Sequence, residues 1–279
     1  MSSITQLRAR GARVARISSA FFSIGARTAM NYPINFAMSQ LQPAFSIVAF
    51  YFVARFVDRT SASVGGDYYT FVVIGILANY VLAGPLTGFG NELQGAVQQG
   101  RFEMILVEPV RWRLLPFGLV QWPIVSRALG AIPAFALATV LGAHFTLAGM
   151  LTSALVLILG VMAVFAIGVV SASVLVLAKR SDPFLTIYTL AAPILAGALF
   201  PLDVLPGWIR WMSWLVPHTY VLSALRKEAM PGGIGVAGPS VQQALIGLLL
   251  FVLVAYPLVM WFFGRVMELG RRYGLLGGY

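Results

Sequence analysis

The sequence predicts an all-α membrane protein with six transmembrane helices and both termini in the cytoplasm. Of its 279 residues, 59% are hydrophobic and only 10% are charged, against roughly 45–50% and about 25% in a soluble domain. Apolar runs free of acidic residues, each near the 20 residues that cross a bilayer, occur at about 34–57, 68–90, 117–142, 149–177, 184–202 and 241–264. The cations then orient the bundle. Thirteen of the nineteen Lys and Arg residues fall with the termini and their side of the connections, five (Arg55, Arg59, Arg210, Arg226 and Lys227) fall opposite, and Arg127 lies inside a run. That asymmetry puts the termini inside. A net charge of +10 would suggest a nucleic acid or acidic partner in a soluble protein; with this apolar excess it reads as loop charge facing an anionic leaflet, and no nucleic-acid partner is expected.

The first 33 residues form the first segment. Leu7, Val14, Ile17, Phe21 and Ile24 fall within about 100° on a helical wheel, with Arg13, Arg16 and Arg27 on one flank and Arg10 intruding on the apolar sector. This describes an amphipathic helix in the headgroup layer; a basic tail serving only the inside-positive bias is the alternative. Nothing there resembles a cleavable signal, because the Arg-rich stretch leads into a full-length span. From 34 to 279 the chain reads as one membrane domain, with no polar linker and no repeat that would mark a second unit.

Gly84 and Gly88, four apart on the second span, permit close helix contact, either with a second copy or within the chain. After that span comes a loop of mixed charge. Over about 97–109, Phe102, Ile105 and Leu106 share one face of a short helix, Glu103 flanks it and Pro109 ends it. Such a helix either docks a soluble partner or merely joins two spans. Arg127, inside the third run, either snorkels or pairs with a neighbour. Asp182-Pro183 reads as the cap at the start of the fifth span. The following segment, about 203–226, is too Pro-rich for one span and too apolar for an ordinary loop. Trp208, Trp211 and Trp214 fit one side of a short interfacial helix, and a re-entrant hairpin or a simple aromatic anchor both satisfy the spacing.

Two stretches carry a family resemblance. Gly100-Arg101-Phe102-Glu103-Met104-Ile105-Leu106-Val107-Glu108-Pro109 is similar to the Gly-x-(Leu/Phe)-Glu-x-Leu-Leu-x-x-Pro of ABC-2 permeases, the membrane subunits of type 2 ABC exporters. Phe200-Pro201, Leu205-Pro206-x-Trp208, Pro217-x-Thr219-Tyr220 and Arg226 resemble that family's run from the fifth span through its extracellular hairpin. The resemblance implies a connecting helix before the first span, a cytoplasmic coupling helix and a re-entrant cap. It places Gly100, Arg101, Phe102, Glu103, Leu106, Glu108 and Pro109 against a separate ATPase subunit, and Phe200, Pro201, Pro206, Trp208, Pro217 and Tyr220 in an outer gate. Glu108 and Arg101 depart from the residues commonest in the family, which implies a docking surface charged to match. Two ATPase copies, a second permease (the same chain or a relative) and a bacterial inner membrane are implied as well, with ATP and Mg on the ATPase.

No cofactor is expected on this chain. A phosphate-binding loop needs Gly-Lys before Ser or Thr, but Lys179 follows Ala178 and Lys227 follows Arg226. The spans hold no acid to couple protons or sodium, which disfavours the alternative of a secondary transporter or channel. Without cysteine, and with His144 and His218 far apart in sequence, neither a metal site nor a catalytic constellation emerges. A multidrug-type (drug-like), lipid or lipid-linked glycan substrate fits a cavity of Phe, Tyr, Met and Leu, although no substrate-binding residue can be named.

Overall fold

The structure, a computed structural model, describes residues 19–60, 68–98, 115–146, 149–178, 183–230 and 237–272, and all secondary structure among them is helical. Residues 19–31 form α1. There follow α2 (Pro33–Thr60), α3 (Tyr68–Gln98), α4 (Leu115–Val140), α5 (Met150–Ala178), α6 (Pro183–Leu195), a 3₁₀ turn (Leu202–Val204), α7 (Gly207–Ser213), α8 (Pro217–Ala229) and α9 (Val241–Arg272). Among the described residues, α2, α3, α4, α5 and α9 are long and apolar enough to cross a bilayer.

Within the fifth expected run, 184–202, the helix is 13 residues long and stops at Leu195. Gly197 explains the stop. At φ +63° it occupies the left-handed region, its N–H donates to Ile194 O at 3.0 Å and the Ala198 N–H donates to Pro193 O at 2.8 Å. This is a Schellman cap, which satisfies the last carbonyls and turns the chain away. The same device closes α4, where Gly142 (φ +100°) precedes an Ala143 N–H donating to Ala138 O at 2.9 Å.

Other expected boundaries fall short. α3 continues past residue 90 to Gln98 and α9 continues past 264 to Arg272. Glu, Gln and Arg are good helix formers, so a change of polarity marks where apolar surroundings end and not where the helix does. The prolongations pack: Leu93 and Ala96 join Leu115, Phe263, Val266 and Met267 in a core at one end of the bundle. α1 lies across the start of α4, with Phe22 edge-on to Trp122 at 5.6 Å between ring centroids and a Cβ on Gly25 meeting the Trp122 side chain at 2.5 Å. Of the expected apolar sector, Phe21 packs at Gly118, while Ile24 is 55% exposed.

α3 is the central helix, packed against α2, α4, α5 and α8. Its approach to α4 is made by Gly84 and Gly88, since a Cβ on either would meet Pro123, at 2.8 Å from its carbonyl oxygen and 2.5 Å from its Cβ. The glycine pair thus serves packing within the chain. On the other side, a Cβ on Gly168 of α5 would lie 2.5 Å from Pro85 O. A capping box starts α9: Ser240 N–H donates to Gln243 Oε1 at 2.9 Å and Gln243 N–H to Ser240 Oγ at 3.2 Å.

Because a backbone oxygen cannot give way, Gly168→Val is expected to cost about 1–3 kcal/mol through overpacking. Gly90→Ala, where an added Cβ has nothing within 4 Å, serves as the neutral control. Thermal unfolding of the two purified variants checks the difference; equal midpoints would show that the α3–α5 contact is looser than described.

Candidate functional site

The segment from Ala196 to Ser240 holds the sequence-predicted gate residues. Pro201, an extended residue with ψ 147°, leads into the 3₁₀ turn. Pro206 is the N-cap of α7, which has only 7 residues, and Pro217 is at the first turn of α8, where a missing N–H costs nothing. At about 1.5 Å per residue, neither α7 nor α8 reaches across a 30 Å hydrocarbon layer.

The predicted residues divide by burial. Phe200 and Pro201 are half-buried at the joint after α6, and Pro217 is buried. Tyr220 is half-buried; its hydroxyl donates to Trp214 O at 2.8 Å, and its ring fills the space a Cβ on Gly247 of α9 would take. Pro206 is exposed and Trp208 is 72% exposed. Arg210 ties α7 to the 3₁₀ turn by donating to Asp203 O at 2.9 Å and Leu205 O at 3.2 Å, while its ion pair with the Asp203 carboxylate, at 3.9 Å and solvent-exposed, adds little. The predicted partner-binding residues Gly100, Arg101, Phe102, Glu103, Leu106, Glu108 and Pro109 lie outside the described residues, as do the first 18 residues of the expected connecting helix.

Arg226 holds the segment together. It is 2% exposed, and its guanidinium donates to Gly197 O at 2.8 Å, Ala198 O at 2.7 Å and Phe71 O at 3.3 Å. Its Cζ lies 3.5 Å from the centroid of the Phe71 ring. Three elements therefore meet on one side chain: the cap that ends α6, the first turns of α3, and α8. Gly75 permits this, because a Cβ there would run into Ala198 O. Around it, Ser223 Oγ donates to Pro239 O at 2.8 Å, Lys227 Nζ donates to Gly238 O and Pro239 O, both at 2.9 Å, and Thr146 N–H donates to Ala229 O at 2.9 Å. His218, also buried, shares a 3.2 Å hydrogen bond between Nδ1 and the Tyr188 hydroxyl of α6. Among the described residues no group of His, Asp and Glu could hold a metal.

Arg226 stood in the sequence as one motif position without a role. It stands first in the run Arg226-Lys227-Glu228, so sequence alone did not separate it from an ordinary loop charge, although a cation buried inside a membrane protein must find acceptors.

These short helices braced against a bundle of long apolar ones coincide with a family match. A profile of the ABC-2 type transporters matches residues 19–229. The chain belongs to the ABC-2 type transporter family. It is thus a transport permease and a multi-pass membrane protein, as the two resembling stretches implied. The match runs from α1 through the last residue of α8, so this ABC-2 permease carries both Arg226 and the predicted gate residues within its family region. No curated protein matches the chain.

Hydrogen bonds to a charged donor are worth roughly 1.5–3 kcal/mol each where loss strands a buried group, so Arg226→Met is expected to destabilise the permease by about 3 kcal/mol or more. Arg226→Lys, a point charge that cannot fork to several carbonyls, should recover only part of this. Thermal unfolding of the purified chain reads both, and a wild-type midpoint for Arg226→Met would show that Gly197 and Ala198 are held by something else.

Proposed function

We propose that this chain is the membrane half of an ATP-driven exporter that moves a hydrophobic or amphipathic molecule, drug-like or lipid-like, out of the cytoplasm or inner leaflet. Family membership is the observation that carries the reading. In it the chain crosses the bacterial inner membrane six times, with α6 and the residues after its cap as the fifth crossing, and both termini face the cytoplasm. The 13-to-5 distribution of cations supports that orientation. α7 and α8 form the re-entrant cap on the outer side. Exposed Trp208 and Trp211 support this, since indoles favour the bilayer interface.

Two ATPase subunits bind from the cytoplasm, one at each permease, and a second permease completes the pathway. Residues 100–109, which join α3 to α4 in the sequence, dock on the ATPase through Glu103 and its neighbours. Closure of the ATPases on nucleotide would push that segment and exchange an inward-open for an outward-open arrangement, provided nucleotide and substrate favour different states. The absence of a Gly-Lys-Ser/Thr sequence supports assigning hydrolysis to the ATPase.

Co-expression of the tagged chain with candidate ATPases tests the pairing. A stable complex with vanadate-sensitive turnover is expected, and Glu103→Ala should lower substrate-stimulated turnover about tenfold, the equivalent of one charge-assisted contact. Measurable transport by the chain alone would overturn the ATP-driven reading in favour of a secondary transporter. Orientation has its own test, because the chain lacks cysteine. Ser63→Cys and Ser240→Cys should react with an impermeant maleimide in intact cells, whereas Ser2→Cys and Ser181→Cys should react only after permeabilisation; the reverse pattern would invert the topology.

A further inference from the structure

Arg127 lies twelve residues from the start of α4 and thirteen from its end, about 18 Å along the helix at 1.5 Å per residue. It is therefore far from either end, where a long side chain could snorkel to water, and a guanidinium held there needs partners. Its partners among the described residues are neutral. Nη1 donates to Gln42 Oε1 at a long 3.4 Å, and Cζ stands 4.7 Å from the centroid of the Tyr80 ring. Among the described residues the five guanidinium donors meet only the Gln42 amide oxygen and the Tyr80 side chain. Arg226 shows the contrast, with three carbonyl acceptors and almost complete burial.

The surroundings are polar and ordered. Tyr80 Oη donates to Gln40 Oε1 at 3.0 Å and approaches Ser39 O at 3.5 Å. Ser39 O is free for this because Pro43, four residues on, has no N–H to donate. Gln40 Nε2 in turn donates to Ser39 Oγ at 3.1 Å and Ser126 Oγ at 3.4 Å. Two glycines make the room: a Cβ on Gly130 would overlap the Gln40 amide and the Tyr80 hydroxyl, and one on Gly84 would lie 3.2 Å from Arg127 Cγ. The group opens sideways, with Ser39 and Gln42 exposed and Met38, Leu41 and Leu129 forming an exposed apolar rim.

We propose that this cluster between α2, α3 and α4 is a binding site for the anionic head of an amphipathic molecule, a phosphate or carboxylate borne on an apolar chain, which arrives from within the bilayer. The guanidinium donors take the head, Gln42 and Ser126 supply neutral hydrogen bonds beside it, and the apolar rim takes the chain. This narrows the proposed substrate class to anionic amphiphiles, and it rests on the export reading only for the direction of traffic.

The test is retention of ligand by the full-length chain in native mass spectrometry, with three probes: monododecyl phosphate, dodecylphosphocholine and inorganic phosphate. Wild type is expected to retain one monododecyl phosphate per chain, at least tenfold more than Arg127→Gln, while retaining neither of the other two. Arg127→Lys should restore at least half. Equal retention by wild type and Arg127→Gln, or equal retention of the net-neutral phosphocholine, would overturn the site. Saturation by inorganic phosphate alone would overturn the amphiphile and leave a free anion. Should Arg127→Gln fail to fold, Gln42→Leu with Ser126→Ala carries the same comparison, with a three- to tenfold loss expected and no loss overturning the site. The two readings fail separately: lost retention in a chain that still assembles with an ATPase removes this site alone, whereas specific retention in a chain with which no ATPase associates removes the export reading alone.

Discussion

A single buried cation with backbone carbonyls as its acceptors sets the arrangement of one half of this permease. Arg226 cannot lose its charge and cannot be solvated where it sits, so carbonyl oxygens have to be brought to it. Gly197 and Ala198 supply two of them only because the Schellman cap ends α6 there. Phe71 supplies a third and offers its ring face as well. The early end of α6, the missing side chain at Gly75 and the angle at which α8 enters the bundle are then parts of one solution.

Elsewhere the long helices are held by close backbone approach. Lipid offers no hydrophobic gain for pressing one apolar helix on another, so packing depends on how near the backbones come. α3 comes near on two sides, at Gly84 and Gly88 against Pro123 and at Pro85 against Gly168. Two polar clusters interrupt this packing and differ in kind. The one around Arg226 is closed and gives the guanidinium three carbonyl acceptors, and the one around Arg127 is open and, among the described residues, gives it one amide oxygen.

The long helices were legible in the sequence because the hydrocarbon layer imposes a length on apolar runs, and α2, α3, α4, α5 and α9 all follow it. Their ends were not: helix propensity ignores the polarity change at Asn91 or Arg265, and α3 and α9 run on. The end of α6 was hidden for a related reason. Residues 184–202 carry no charge, and a hydropathy run cannot reveal that Gly197 adopts a left-handed conformation. Of the predicted gate residues, Pro217 and Tyr220 lie in the packed segment, but Arg226, which organises it, stood in the sequence only as the first of three successive charged residues, Arg226-Lys227-Glu228. Gly84 and Gly88 were legible as a contact and ambiguous as to partner, because spacing alone says nothing about which helix comes to meet them.

The position of that glycine contact has a mechanical consequence. α3 runs for 31 residues from Tyr68 to Gln98, and Gly84, resting on Pro123, is close to its midpoint. One end of the helix is engaged by Arg226 through Phe71, and the other is set in the core of Leu93, Leu115 and Met267. A rod seated on a fulcrum at mid-length swings its two ends in opposite senses by similar distances. Pro85, beside that fulcrum, breaks the hydrogen-bond ladder at the same level. How stiff the helix remains there therefore sets how much of a stroke applied at one end reaches the other.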